Sequence, residues 1–174
     1  IAAAGGVGLL LLTGLPLLWI GLGGLFCTLL YPLLKYNALG DLVILLAYAF
    51  LPTLGTSFVA TGAVIPSVLI IALPLGLITD GILHSNNTRD MVTDARAGIK
   101  TMAMAMGTKS SAILYGFEML FPFVWIAACS IAGFMPIWTV IAFMTLPVAI
   151  ACAQTMKNSV EGGVEMIADL DVRT

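Results

Sequence analysis

The chain has 174 residues, of which 60% are hydrophobic and only 9% charged, with a formal net charge of -2. That apolar share and a mean hydropathy of +1.10 lie far above the roughly 45–50% apolar usage of soluble domains, so an ordinary soluble fold is excluded and an integral membrane protein is expected. Seven basic side chains against nine acidic ones leave no basic surface for nucleic acid. Cys27, Cys129 and Cys152 stand singly in apolar runs and read as small packing residues rather than disulfides or metal ligands.

A transmembrane helix needs about 20 apolar residues to cross the ~30 Å hydrocarbon core. Residues 1–34 carry no charge, and Gly14-Leu15-Pro16 is the natural break within them. The expectation is a short helix over about 1–13 and a full span over about 16–34. Further spans follow over about 40–61, 64–87, 111–133 and 136–157, with "TGAVIP" and "GFMP" turns on one side. The fold class is therefore all-α, a polytopic transmembrane bundle, because continuous apolar runs replace the alternation that barrel strands need. Pro52, Pro74, Pro122 and Pro147 fall in or near spans, where prolines mark kinks whose freed carbonyls find other partners. The glycines of "AAAGGVG" and "GLGG" read as points of close helix approach rather than phosphate loops.

Charge placement supports this span count. Lys35 and Asp41 flank one turn, Asp80 to Lys109 surround another two crossings on, and Lys157 to Arg173 follow after two more. An even number of crossings separates the groups, so all seven Lys and Arg emerge on one face, which the positive-inside rule makes cytoplasmic or its organellar equivalent. Glu118 alone is displaced toward the interior.

The densest polarity is "ILHSNNTRDMVTDARAGIK", Ile82 to Lys100. With the helix continuing to about residue 95, Asn86, Asp90 and Asp94 recur every four residues, and Asn87 joins them by i, i+3, i+7 spacing. Such a face suits a hard cation, because Mg2+ typically takes one or two carboxylates plus waters and substrate phosphates. Arg89, Arg96 and Lys100 supply charge to neutralise phosphate; the competing reading is a solvated loop with i, i+4 ion pairs. Asp80 and His84 carry the same face deeper, where uncompensated charge costs ~2–3 kcal/mol, and this argues for an internal polar cavity. On the same membrane face, "YPLLK" sets Tyr31 and Lys35 one turn apart. They are an interfacial anchor or, beside a carboxylate bracket, contacts for an anion. The tail after Gln154, with Glu161, Glu165 and Asp169 at i, i+4, i+8, reads as an interfacial connector with a solvated acidic stripe.

These residues carry a resemblance. "ILHSNNTRDMVTDARAGIKT" resembles the second aspartate-rich motif, NNxRDxxxDxxAGxxT, of the UbiA superfamily of membrane prenyltransferases, and "LHSNNTRDM" looks most like the branch that makes menaquinone and vitamin K. "YPLLK" and "KYNALGDLVIL" resemble its central YxxxK element and the segment after it, and "DLDVRT" resembles the entry to its last helix. The resemblance implies one membrane-embedded domain over residues 1–174. It also implies a chain incomplete at both ends, with about five to six of the family's roughly nine spans and a first aspartate-rich motif lying upstream. The implied substrates are a polyprenyl diphosphate and an aromatic acceptor such as 1,4-dihydroxy-2-naphthoate. Asp90, Asp94 and Asn87 would hold Mg2+, while Tyr31, Lys35, Asn86, Asn87, Arg89 and Lys100 would serve the diphosphate. Asp90, Asp94 and Lys35 would be the catalytic set. A non-catalytic, quinone-holding subunit of a larger membrane complex is the alternative, and a transporter a further one.

Overall fold

The computed structural model of the protein describes residues 2–35 and 37–174; Ile1, at the start of the first expected span, and Tyr36 of "KYNALGD" lie outside the described residues. Helix α1 (Ala2–Thr13) and helix α2 (Leu15–Lys35) are separated by Gly14. Its φ of +95° is left-handed backbone that glycine adopts freely, and its N–H closes the helix on the Leu10 carbonyl at 2.9 Å. The break expected at Gly14-Leu15-Pro16 is where the chain turns.

The third span is continuous but not uniform: α3 (Gly40–Ile44), a π-helical turn (Leu45–Phe50) and α4 (Leu51–Thr61). Pro52 has no N–H to give, and the wider turn before it absorbs the mismatch. Helix α4 ends on Gly62 (φ +72°), and after the "AVIP" turn α5 runs over Val68–Arg89, starting four residues later than the sequence suggests. Two short helices follow, α6 (Met91–Arg96) and α7 (Met102–Met106). The hydroxyl of Thr101 caps α7 by accepting the Met104 N–H. Helix α8 is Thr108–Ile131. The last span opens as a 3-10 segment, Ile137–Thr145, before Pro147, and continues as α9 (Leu146–Gly162). A 3-10 turn (Val164–Ile167) and α10 (Leu170–Arg173) close the described chain.

Five of these segments, Leu15–Lys35, Gly40–Thr61, Val68–Arg89, Thr108–Ile131 and Ile137–Gly162, are long and apolar enough to cross a membrane. Outward-facing residues such as Leu12 and Ile131, 84% and 85% exposed, belong against lipid rather than water. The packed interior lies where α8 sits between α5 and α9. Tyr115 and Met119 meet Cys152, Met156, Ile78, Ile167 and Leu170 there.

Proline placement explains one tertiary link. The ring of Pro74 removes the bond to the Ile70 carbonyl four residues earlier, and the indole Nε1 of Trp125 on α8 donates to that carbonyl at 2.9 Å. The glycines behave differently from expectation. Gly5, Gly6, Gly8, Gly21 and Gly24 face open space and Gly23 meets Leu51 at ordinary contact, whereas the tight approaches between spans lie on α5, at Gly76, where an added Cβ would press on Leu45 and Ala49, and at Gly81, where it would press on Met119. Close approach is set by the buried face of α5, not by the glycine-rich runs on the outer helices.

The tail also departs from the reading of it as a connector. Glu161, Glu165 and Asp169 are exposed, as expected of a solvated stripe, but Ile167 and Leu170 between and beyond them are 1% and 2% exposed. Their apolar side chains fold the tail back onto α5 and α9. The Ala38 N–H donates to the Lys100 carbonyl at 3.1 Å, and Arg89 reaches the Ala168 carbonyl at 3.1 Å. The three charged segments are thus joined at one end of the bundle.

Candidate functional site

The polar second half of α5 is built to be buried. The hydroxyls of Thr79 and Thr88 donate to carbonyls four residues back, and that of Ser85 to one three back, so each is satisfied without leaving its own helix. Asp80, His84, Ser85, Asn87 and Thr88 are all buried.

The helix does not run unbroken to residue 95. It ends at Arg89, with Asp90 at φ -92°, ψ 8°, and the Thr93 hydroxyl donates to the Asp90 carbonyl at 2.8 Å. The break is shallow: the Asp90 N–H still donates to Asn86 O (2.9 Å) and the Asp94 N–H to Asp90 O (2.8 Å). One-turn spacing of Asn86, Asp90 and Asp94 therefore survives. Beyond them the loop is closed by the Ile99 N–H on the Asp94 carbonyl and by Gly98 at φ +73°.

Arg89 is more committed than its sequence position suggests. Its Nε and Nη2 donate to both carboxylate oxygens of Asp90, at 2.9 and 3.2 Å. Its Nη1 donates to Ala168 O and lies 3.6 Å from the Asp171 carboxylate. The guanidinium fork matches a carboxylate in this way, so Arg89 fixes the orientation of Asp90 and fastens the tail to the motif. Asp171 was not singled out from the sequence; its only signal was its place in "DLDVRT".

Tyr31 and Lys35 occupy the last turns of α2, both half-buried. Tyr31 lines an apolar pocket of about 190 Å³ with Cys27, Val43 and Ala47. Lys100 is exposed, and its carbonyl is held by Ala38, three residues after Lys35. Among the described residues Lys35, Arg96 and Lys100 make no ion pair. The structure gathers Asn86, Asn87, Arg89, Asp90 and Asp94 on one segment and brings the Lys35 turn against the loop that follows it.

A second group of ionisable residues lies deeper. Asp41, Asp80, His84 and Glu118 come from α3, α5 and α8, and each is at most 7% exposed. Asp41 Oδ2 accepts from His84 Nδ1 at 3.2 Å. Glu118 Oε2 lies 3.6 Å from where a Cβ on Gly81 would stand. Among the described residues Asp41 Oδ1, Asp80 Oδ1, His84 Nε2 and Glu118 Oε2 have no hydrogen-bond partner. Asp80 and His84, from which an internal polar cavity was expected, are buried together with Asp41 and Glu118, and none of the four lines one of the pockets described for the chain.

The donors at the motif suit a hard cation in kind. They are two carboxylates one turn apart and the buried, unpartnered Oδ1 of Asn86. Among the described residues no three His, Cys, Asp or Glu side chains converge at ligand spacing. An open site completed by phosphate oxygens and water, the usual arrangement for Mg2+, is compatible with this donor set.

A polytopic helical membrane protein with an oxygen-rich, cation-flanked segment at one end of its bundle is the class that fold and site define. The model of the UbiA prenyltransferase family matches residues 1–162, and the chain belongs to that family. It is 37% identical over 124 residues to UbiA prenyltransferase domain-containing protein 1 of Gallus gallus, covering 71% of this chain and 37% of the relative. The Mus musculus protein of that name is 40% identical over 128 residues, 71% of this chain and 36% of the relative. The Drosophila melanogaster homolog is 38% identical over 125 residues, 71% of this chain and 34% of the relative. The matches span about a third of the length of these curated relatives.

Proposed function

We propose that the protein is a Mg2+-dependent prenyltransferase. It moves a polyprenyl group from its diphosphate to an electron-rich aromatic acceptor, 1,4-dihydroxy-2-naphthoate or a similar ring, in menaquinone or related quinone biosynthesis. The observation that carries this reading is membership of the UbiA prenyltransferase family over residues 1–162, on a chain whose Asp90 and Asp94 share a segment followed by a loop that is bonded to the Lys35 turn through Lys100 and Ala38.

Asp90, Asp94 and Asn87 would hold the metal, with the unpartnered Asn86 oxygen beside them. Bound Mg2+ supplies charge neutralisation to the leaving diphosphate. Arg89 keeps both oxygens of Asp90 oriented. Lys35 and Tyr31 bind the diphosphate from the end of α2, and Lys100 adds positive charge from the loop. The apolar pocket beside Tyr31 receives the first isoprenoid carbons. The allylic C–O bond breaks with its electron pair leaving on diphosphate, a ring carbon forms the new C–C bond, and the ring regains aromaticity by releasing a proton to water or, from a carboxylate-bearing carbon, CO2, the bonding pair staying with the ring. Lipid around the bundle accommodates the rest of the tail, and the enclosed site shields the electrophile from water. The charged end faces the cytoplasm or its organellar equivalent.

The test is prenyl transfer by the purified protein in lipid with Mg2+, a prenyl diphosphate and the naphthoate; Asp94→Asn that turns over like wild type would remove the metal role. A second reading, a quinone-holding subunit of a membrane complex, is favoured by one observation: Arg89 already neutralises Asp90. It requires stoichiometric copurification with partners and no turnover.

A further inference from the structure

The turn that carries Lys35 is fastened at two points, one on each side of the carboxylate segment. Ala38 donates its N–H to the carbonyls of Lys35 (3.2 Å) and Lys100 (3.1 Å). It does so at φ +60°, the one positive φ at a non-glycine residue among those described and a conformation disfavoured for any residue with a Cβ. Such backbone persists where the surroundings over-determine it. Gly40 packs closely under Lys35, with an added Cβ 3.6 Å from the Lys35 Cα. Asp41 then enters the bundle in the first turn of α3 and meets His84 at 3.2 Å.

His84 stands six residues before Asp90, about 9 Å along the helix axis, and Lys100 six residues after Asp94. One contact precedes the segment Asn86 to Asp94 and the other follows it. The Asp41–His84 pair is 2% and 0% exposed, and apolar residues of similar volume would hold two helices together as well or better. What a directional hydrogen bond adds is register.

We propose that the Asp41–His84 bond and the Ala38–Lys100 bond form a clamp that sets the separation between the Tyr31/Lys35 helix end and the Asp90/Asp94 segment, making Asp41 and His84 positioning residues for diphosphate. This rests on the prenyl diphosphate reading above. A diphosphate that spans both segments binds well only when they stand at one distance, and a misplacement of about 1 Å costs on the order of 10²-fold in rate. Neither Asp41 nor His84 touches the substrate.

Spin labels at the exposed positions Asn37→Cys and Ala97→Cys read the separation directly, by pulsed dipolar spectroscopy in lipid. Equilibrium binding of a non-reactive prenyl thiolodiphosphate with Mg2+ reads the consequence. The labels report one narrow distance in the otherwise unaltered protein and a broadened distribution in Asp41→Leu. The thiolodiphosphate Kd rises about tenfold or more in that variant, and KM for prenyl diphosphate rises while KM for the acceptor holds. Asp41→Asn, which keeps an oxygen to accept the Nδ1 proton, recovers most of the distance and the affinity. The double variant Asp41→Leu/His84→Phe replaces the pair by apolar packing and is read the same way if the single variant does not fold. An unchanged distance distribution, or an unchanged Kd beside a broadened one, overturns the clamp. Failure of the unaltered protein to bind the thiolodiphosphate overturns it together with the reading it rests on.

Discussion

Asp90→Asn separates a structural role of the motif from a catalytic one, because the two predict effects of different size. The Arg89–Asp90 pair is 29% and 43% exposed at its side chains, and ion pairs so placed contribute ~0.2–1 kcal/mol. The asparagine keeps one oxygen for the guanidinium, and Arg89 keeps the Ala168 carbonyl. Folding stability therefore falls by less than about 1 kcal/mol. A metal-holding carboxylate stabilises charge that develops on the leaving diphosphate. Losing one such group costs about 10²–10³ in rate, or ~2.7–4 kcal/mol at ~1.36 kcal/mol per decade. The assay is kcat/KM at saturating acceptor, beside the thermal midpoint of the same preparation in nanodiscs. A fall of two decades with a midpoint moved by no more than a few degrees is expected. An activity loss under threefold, or one that tracks the loss of folded protein, would refute the metal role of Asp90.

Chelation of divalent cations abolishes turnover, and added Mg2+ restores it; turnover that survives chelation contradicts the open site. Trp125→Phe leaves the Ile70 carbonyl freed by Pro74 without its donor and destabilises the bundle by ~0.6–1.7 kcal/mol, the range of interhelical hydrogen bonds in membranes. A midpoint equal to wild type would mean that the indole only packs. Gly76→Ala sets a Cβ against the Ala49 Cβ and Leu45 and costs ~1–3 kcal/mol as overpacking. Gly116→Ala, with nothing within 4 Å, is neutral or stabilising by up to ~1 kcal/mol, and the reverse order of the two midpoints would contradict the helix crossing described above.

The spans were legible because bilayer thickness and backbone hydrogen bonding leave few alternatives to a run of apolar residues. Gly14 and Gly62 marked turns where a positive φ was needed, and Pro74 announced a free carbonyl whose partner, Trp125, only packing could name. The motif's spacing held through the break at Asp90, which has no periodicity to betray it. Arg89 was read as serving the site, but its bonds to Asp90 and to the tail were not legible, since a side chain's choice among oxygens follows from distance rather than order. Asp41 was passed over as a turn charge. Its burial against His84 joins residues 43 apart in sequence, and the two lie in segments that each look complete alone. The tail's acidic stripe hid Ile167 and Leu170, because a short amphipathic pattern does not say which surface it meets.

The central claim is that the Asn86 to Asp94 segment, whose following loop is bonded to the Lys35 turn, takes a prenyl diphosphate with Mg2+ and transfers its prenyl group. Single-turnover reaction of purified protein in lipid with labelled prenyl diphosphate, Mg2+ and 1,4-dihydroxy-2-naphthoate tests it most directly. The account predicts a prenylated ring and free diphosphate, both lost in Asp94→Asn at unchanged folding. Product formed equally by wild type and Asp94→Asn would contradict it.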